Sequence, residues 1–192
     1  MRSAFLDRIE MHPIIAAVKE DEGLSHAIET ECEIIFILYG DVCRIPAIVD
    51  KVKSSGKLAM VHIDLITGLN TSKDIAVDFI KENTRADGII TTKGNLIGRA
   101  RELGLYTVLR YFVIDSMALK NIAKQDMRGM LRPDVIEILP GIVLPKVIKK
   151  IREVSRVPVL AGGLISDRED VMNALNNGIL AISTTNEDVW KL

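Results

Sequence analysis

Val157-Pro158-Val159-Leu160-Ala161-Gly162-Gly163, continuing into Leu164-Ile165-Ser166-Asp167-Arg168-Glu169, lays out one complete building unit of this chain. The run Val157–Ala161 is apolar without polar alternation, as a strand covered on both faces reads. Gly162-Gly163 permits a tight turn. Ser166, with Glu169 three residues on, predicts a capping box that opens a helix. Gly178 falls where a glycine ends a helix, immediately before the next apolar run, Ile179–Ile182. The order strand, loop, helix, strand is that of parallel strands joined by right-handed crossovers.

The same unit recurs along the whole sequence. Further Ile- and Val-rich runs occupy Pro13–Val18, Glu33–Leu38, Leu58–Ile63, Gly88–Thr91, Leu105–Arg110 and Val135–Leu139. Between them, Leu119, Ile122, Ala123, Met127 and Met130 share one helical face, as do Leu144, Val147, Ile148 and Ile151. Thr71-Ser72-Lys73-Asp74 is a weaker box at another helix start, and Gly56 and Gly104 stand between helical stretches and strands. Eight units in 192 residues average about 24 residues each, which predicts a compact (β/α)8 TIM-type barrel with short loops. One such domain accounts for residues 1–192. A doubly wound open sheet is the competing architecture. It usually carries a glycine-rich loop after its first strand, whereas here Val18 is followed by Lys-Glu-Asp-Glu.

Composition narrows the function classes. With 48% apolar residues the chain buries a core without staples. Cys32 and Cys43 supply neither a disulfide framework nor metal-ligand spacing, and they read as reduced thiols of a cytoplasmic protein. The longest apolar run, Ile34–Tyr39, is far short of the ~20 residues of a membrane helix, and MRSAFLDRIEMH does not read as a signal peptide. Twenty-five basic against twenty-six acidic residues exclude nucleic-acid wrapping by bulk charge, so any such contact is local. Basic stretches occur at Lys51, Lys53 and Lys57, and at Lys146, Lys149, Lys150, Arg152 and Arg156, where a solvated helix face is the default. One Trp, three Tyr and four Phe, not interleaved with basic residues, give no stacking platform for RNA bases.

In this barrel, function sits at the carboxyl ends of the strands, with a recurrent phosphate position in the loops after strands seven and eight. Gly162, Gly163, Ser183 and Thr184 stand there, and Gly141 after strand six adds a third glycine amide. Bare amides beside hydroxyls and a helix start suit an anion. The remaining polar residues at that end are His62, Asp64, Lys93, Arg110 and Glu137, a cup for ligand hydroxyls. Arg110 and Glu137, on neighbouring strands, also read as a buried pair. His62 with Asp64 alone does not make a metal site, because no carboxylate stands near the end of strand seven. No catalytic residue, metal or cofactor is assigned. An enzyme acting on a small phosphorylated metabolite, of isomerase, epimerase or lyase type, is the alternative reading.

Val61–Leu69, Asp87–Lys93, Arg110-Tyr111-Phe112, Pro133–Gly141, Ala161–Ile165, and Thr184-Thr185-Asn186 with Trp190 occur in a family order. Together they resemble the glycerol uptake operon antiterminator regulatory proteins over nearly the full length. The resemblance implies a transcription regulator that responds to glycerol 3-phosphate as effector. Such a regulator acts on the leader mRNA of glycerol-utilisation genes, letting polymerase pass a terminator. Leu109 departs from the pattern, which has Gln before the Arg of strand five. So lean a barrel has no separate RNA-binding module, so its own surface or that of a homo-oligomer would contact RNA.

Overall fold

A computed structural model describes residues 4–126, 132–143 and 145–192. Eight parallel strands close into a barrel in sequence order. They are β1 (Ile14–Val18), β2 (Ile34–Ile37), β3 (Leu58–His62), β4 (Gly88–Thr91), β5 (Tyr106–Phe112), β6 (Val135–Leu139), β7 (Val159–Gly162) and β8 (Ala181–Thr184). Pairing of Ile14 with Ile182 seals the seam between β1 and β8. The helices are α1 (Ala4–Met11), α2 (Asp21–Glu29), α3 (Ile45–Ser54), α4 (Ile75–Asn83), α5 (Leu96–Glu102), α6 (Ser116–Asp126), α7 (Pro145–Val154) and α8 (Arg168–Asn176). Seven of them follow strands. The eighth unit ends instead in a single 3-10 turn, Val189–Lys191, where the repeat predicted a helix. Met127, Met130 and Leu144, from the predicted helical faces, lie outside the described residues.

Side-chain alternation sorts the core into an inside and an outside. Ile15, Ala17, Ile34, Phe36, Leu58, Met60, Ile90, Val108, Val135, Leu160 and Ala181 cluster within the barrel. The opposite parity, including Ile35, Ile37, Val61, Ile89, Ile136, Ile138 and Ile182, packs against the helices. The extra helix α1 was not predicted, because Phe5 and Ile9 give it only one short apolar stripe. Both are fully buried in the interior cluster, and the Phe5 ring stacks on Tyr106 at 4.9 Å. Thus α1 plugs the barrel floor.

Several local expectations are corrected. Strand β5 runs to Phe112, two residues past the predicted end, because Arg110, Tyr111 and Phe112 continue in register with Glu137, Ile138 and Leu139. The cap of α8 is Asp167, which accepts from the Asp170 amide at 2.9 Å. Asp170 in turn accepts from the Ser166 amide and hydroxyl, so the cap lies one residue later than predicted and its return contact goes to Ser166. The Thr71 box does not form: α4 starts at Ile75. Two of the supposedly solvated lysines are structural. Lys57 is buried and donates to the carbonyls of Thr30 and Cys32. Lys53 pairs with Asp87 at 2.7 Å. Asp87 also accepts from the Ala59 amide, and Asp134 likewise from the Thr107 amide, each clamping the start of one strand to its predecessor.

Replacing Phe5 with Ala removes the floor plug and leaves a cavity. The expected loss in urea unfolding is about 3 kcal/mol, or roughly 10 °C in Tm. A loss below about 1 kcal/mol would show that α1 is not part of the barrel core.

Candidate functional site

Arg110, Glu137, Gly162 and Ser183 share the inward parity of β5, β6, β7 and β8, and they meet above the last apolar layer. Glu137 has no exposed surface. Its Oε2 accepts from Arg110 Nε at 2.6 Å and its Oε1 from the Ser183 hydroxyl at 2.5 Å. Gly162 makes room for this junction, since a Cβ there would lie 2.6 Å from both Glu137 Oε1 and Ser183 Oγ. The buried carboxylate is thereby compensated from two strands.

Above the junction opens a cavity of about 340 Å³, lined by Arg110, Glu137, Ser183 and the loops after β7 and β8, with Ala17 and Leu38 as its apolar wall. The two loops shape it differently from expectation. Ser183 and Thr184 do line it, but their hydroxyls are already donated, Ser183 to Glu137 and Thr184 to the Ile165 carbonyl at 2.9 Å. Gly141 is not a third amide donor: its N–H is given to the Gly163 carbonyl at 2.9 Å, and the residue borders a separate cleft between α7 and α8. The available donors are main-chain ones. Gly163 and Leu164 are consecutive left-handed residues, with φ of 73° and 60°. Such a conformation costs a non-glycine residue about 1–2 kcal/mol. Among the described residues, the amides of Gly163, Leu164, Ile165 and Thr185 donate to no protein group. Leu164, Ile165 and Thr185 were missed because nothing in a side-chain type announces an unspent N–H. Arg110 spends only Nε, so the outer edge of its guanidinium has no partner among the described residues.

The predicted cup of His62, Asp64, Lys93, Arg110 and Glu137 divides in two. Asp64 accepts from the Thr92 amide at 2.6 Å and from the hydroxyls of Thr91 and Thr92, bracing the end of β3 against β4. Burial alone would raise its pKa. These hydrogen bonds and the neighbouring His62 outweigh that and hold it below the usual carboxylate range. Lys93 donates to the Thr71 hydroxyl in the preceding loop. His62 stays with the barrel interior, 2% exposed. Its Nδ1 has no hydrogen-bond partner among the described residues, and the Asp64 carboxylate is 4.0 Å away. Burial, reinforced by the charge of Arg110 and opposed by Asp64, lowers the imidazole pKa to about 4. The cavity wall therefore carries a guanidinium and its carboxylate, while the neutral imidazole of His62 is buried outside its lining. Among the described residues, no three His, Cys, Asp or Glu side chains converge as a metal-binding group.

The chain is similar to known proteins over nearly its full length. A family model described as glycerol-3-phosphate responsive antiterminator matches residues 14–190. An uncharacterized Escherichia coli K12 protein, YgcP, is 45% identical over 187 residues, which cover 97% of this chain and 96% of that one. The backbone is similar to the crystal structure of a glycerol uptake operon antiterminator regulatory protein from Listeria monocytogenes. That match has a TM-score of 0.85 and 33% identity, over 92% of this chain and 94% of that one. A glycerol uptake operon antiterminator-related protein from Thermotoga maritima gives 0.81 and 32%, over 94% and 99%.

The state of His62 has a measurable consequence. Its folded pKa, about 4, lies below the ordinary 6.5, so the unfolded chain binds the proton first as pH falls. The contribution is present above about pH 6.5 and is lost towards pH 4, by up to about 3 kcal/mol. In urea unfolding across that range, His62→Asn is expected to flatten the acid limb. An equally steep limb in the variant would contradict the assignment.

Proposed function

The chain belongs to the glycerol-3-phosphate responsive antiterminator family, and we propose that the cavity at the barrel mouth is where it senses that metabolite. It is an antiterminator regulatory protein built on a TIM barrel. In our reading the phosphate is held by the amides of Gly163, Leu164, Ile165 and Thr185 and by the outer edge of Arg110. The single observation supporting this is that these donors line one cavity and serve no other described group. A phosphate dianion accepts from several such donors at once, and consecutive left-handed residues align adjacent N–H groups as a helix start does. Gly162 and Gly163 contribute by leaving backbone bare. Ser183 and Thr184 contribute indirectly, by fixing Glu137 and the Ile165 carbonyl.

The two hydroxyls of the ligand then reach the cavity wall. There Glu137, which lines the cavity, retains accepting capacity. The site binds without turnover. Glu137 is neutralised by Arg110, and the Ser183 hydroxyl is bound to that same carboxylate, so neither is poised as base or nucleophile. The output is regulation in the cytoplasm through leader mRNA of glycerol-utilisation genes. Ligand and RNA affinities are coupled by ~1–3 kcal/mol.

Calorimetry tests the cradle. Glycerol 3-phosphate is expected to bind the wild type, whereas glycerol is not. Gly163→Asp adds a carboxylate and a strained φ among the donors and is expected to lower affinity about 100-fold, or about 2.7 kcal/mol. Equal affinity in a folded Gly163→Asp protein would sink the assignment.

A further inference from the structure

The surface cations of this protein are unevenly employed. Several are paired: Arg8 with Glu33, Arg44 with Asp21, Arg85 with Asp50, and Arg99 with Asp78 and Glu102. On α6 and α7, which pack side by side, the pattern changes. Lys120 and Lys124 stand one turn apart on α6. Lys146, Lys149 and Lys150 form a stripe on α7, with Arg152 beside it. All six side chains are exposed, and none pairs with a carboxylate of the described residues. Lys19, Lys51, Lys73, Lys81 and Arg168 are also exposed and in no ion pair of the described residues, but they are scattered, whereas these six gather on two adjacent helices. Beside them, between α7 and the end of α8, runs a groove of about 670 Å³ edged by Lys146, Lys149 and Arg152 with one carboxylate, Glu153, on one side and Asn176 and Asn177 on the other, so its cations outnumber its carboxylate three to one. Cationic side chains along a groove with amide groups opposite suit a phosphodiester backbone.

We propose that α6 and α7 form the face that grips the leader RNA. The occupant is the RNA backbone, selected by charge, and the inference rests on the regulatory reading above. The placement also connects the two sites. Helix α6 leaves the end of β5, which carries Arg110, and α7 leaves the end of β6, which carries Glu137. A phosphate drawn to the outer edge of Arg110 loads the pair from which both basic helices are hung. Ligand and RNA therefore act on the same two strand ends, from the mouth and from the flank.

The test uses the full chain and the leader transcript of the glycerol-uptake operon of the source organism. One variant carries Lys120→Gln, Lys124→Gln, Lys149→Gln and Lys150→Gln. A control carries Lys51→Gln and Lys81→Gln, on α3 and α4 across the barrel. Removing four phosphate contacts is expected to lower RNA affinity at least about tenfold at moderate salt and to reduce the salt slope by about 3. Glycerol 3-phosphate affinity measured without RNA stays within about twofold, and the control binds RNA like the wild type. Unchanged RNA affinity in the four-site variant overturns the proposal and assigns the face to an acidic protein partner. An equal loss in the control overturns it as well, since the contact would then be diffuse. A wild-type protein that binds glycerol 3-phosphate but no leader RNA overturns the RNA reading itself, a different failure from a misplaced face.

Discussion

A carboxylate with no exposed surface, Glu137, sits just above the apolar layers of the barrel interior, and the upper half of the molecule is arranged around it. An uncompensated charge there would cost several kcal/mol. Compensation comes from Arg110 in the next strand and Ser183 two strands away, and it works only because Gly162 between them has no side chain to occupy the junction. One ionic group thus fixes the relative heights of β5, β6, β7 and β8. It also leaves a guanidinium with one edge bound and the other facing the mouth, an arrangement that favours an anion above it.

That arrangement explains why the proposed phosphate position is lined by main chain. The hydroxyls that would have served a ligand are consumed in building the floor and the adjacent loop, by Ser183 and Thr184 respectively. What remains at the mouth are N–H groups of a turn whose left-handed residues, Gly163 and Leu164, are held there by the strand below and by the Asp167 cap of α8 above. Strain in such a turn is tolerated where the scaffold over-determines it. The same strands that hold the ion pair lead into α6 and α7, so the proposed sensing and RNA sites lie one short loop apart.

Much of this was legible in the residues. Continuous Ile- and Val-rich runs identify every strand, because a strand covered on both faces has no polar side to show. Position near the strand ends marks His62, Arg110, Glu137 and Ser183 as residues of the mouth, and the structure sets Phe36, Met60 and Val108 in the layer within. What escaped has physical causes. Helix α1 is only eight residues long and precedes the first strand, outside the strand–loop–helix repeat, and its role as a plug depends on the barrel it closes. Strand β5 was cut short at Arg110 because a charge reads as a strand end, although pairing with Glu137 is what lets it continue. Asp64 and Lys93 read as ligand groups but are spent on Thr91, Thr92 and Thr71 in neighbouring loops. Contacts of that kind depend on how loops from different strands approach each other, which no local pattern encodes. Unspent amides leave no mark in sequence at all.

The central claim is that one ligand at the barrel mouth and one RNA on its flank bias the same strands. Thermodynamic linkage makes that claim measurable in reverse. Glycerol 3-phosphate affinity is to be determined with and without saturating leader RNA, and RNA affinity with and without saturating glycerol 3-phosphate. The account predicts that both change, by the same factor, within about 5- to 150-fold. An RNA that binds while leaving ligand affinity untouched would contradict it.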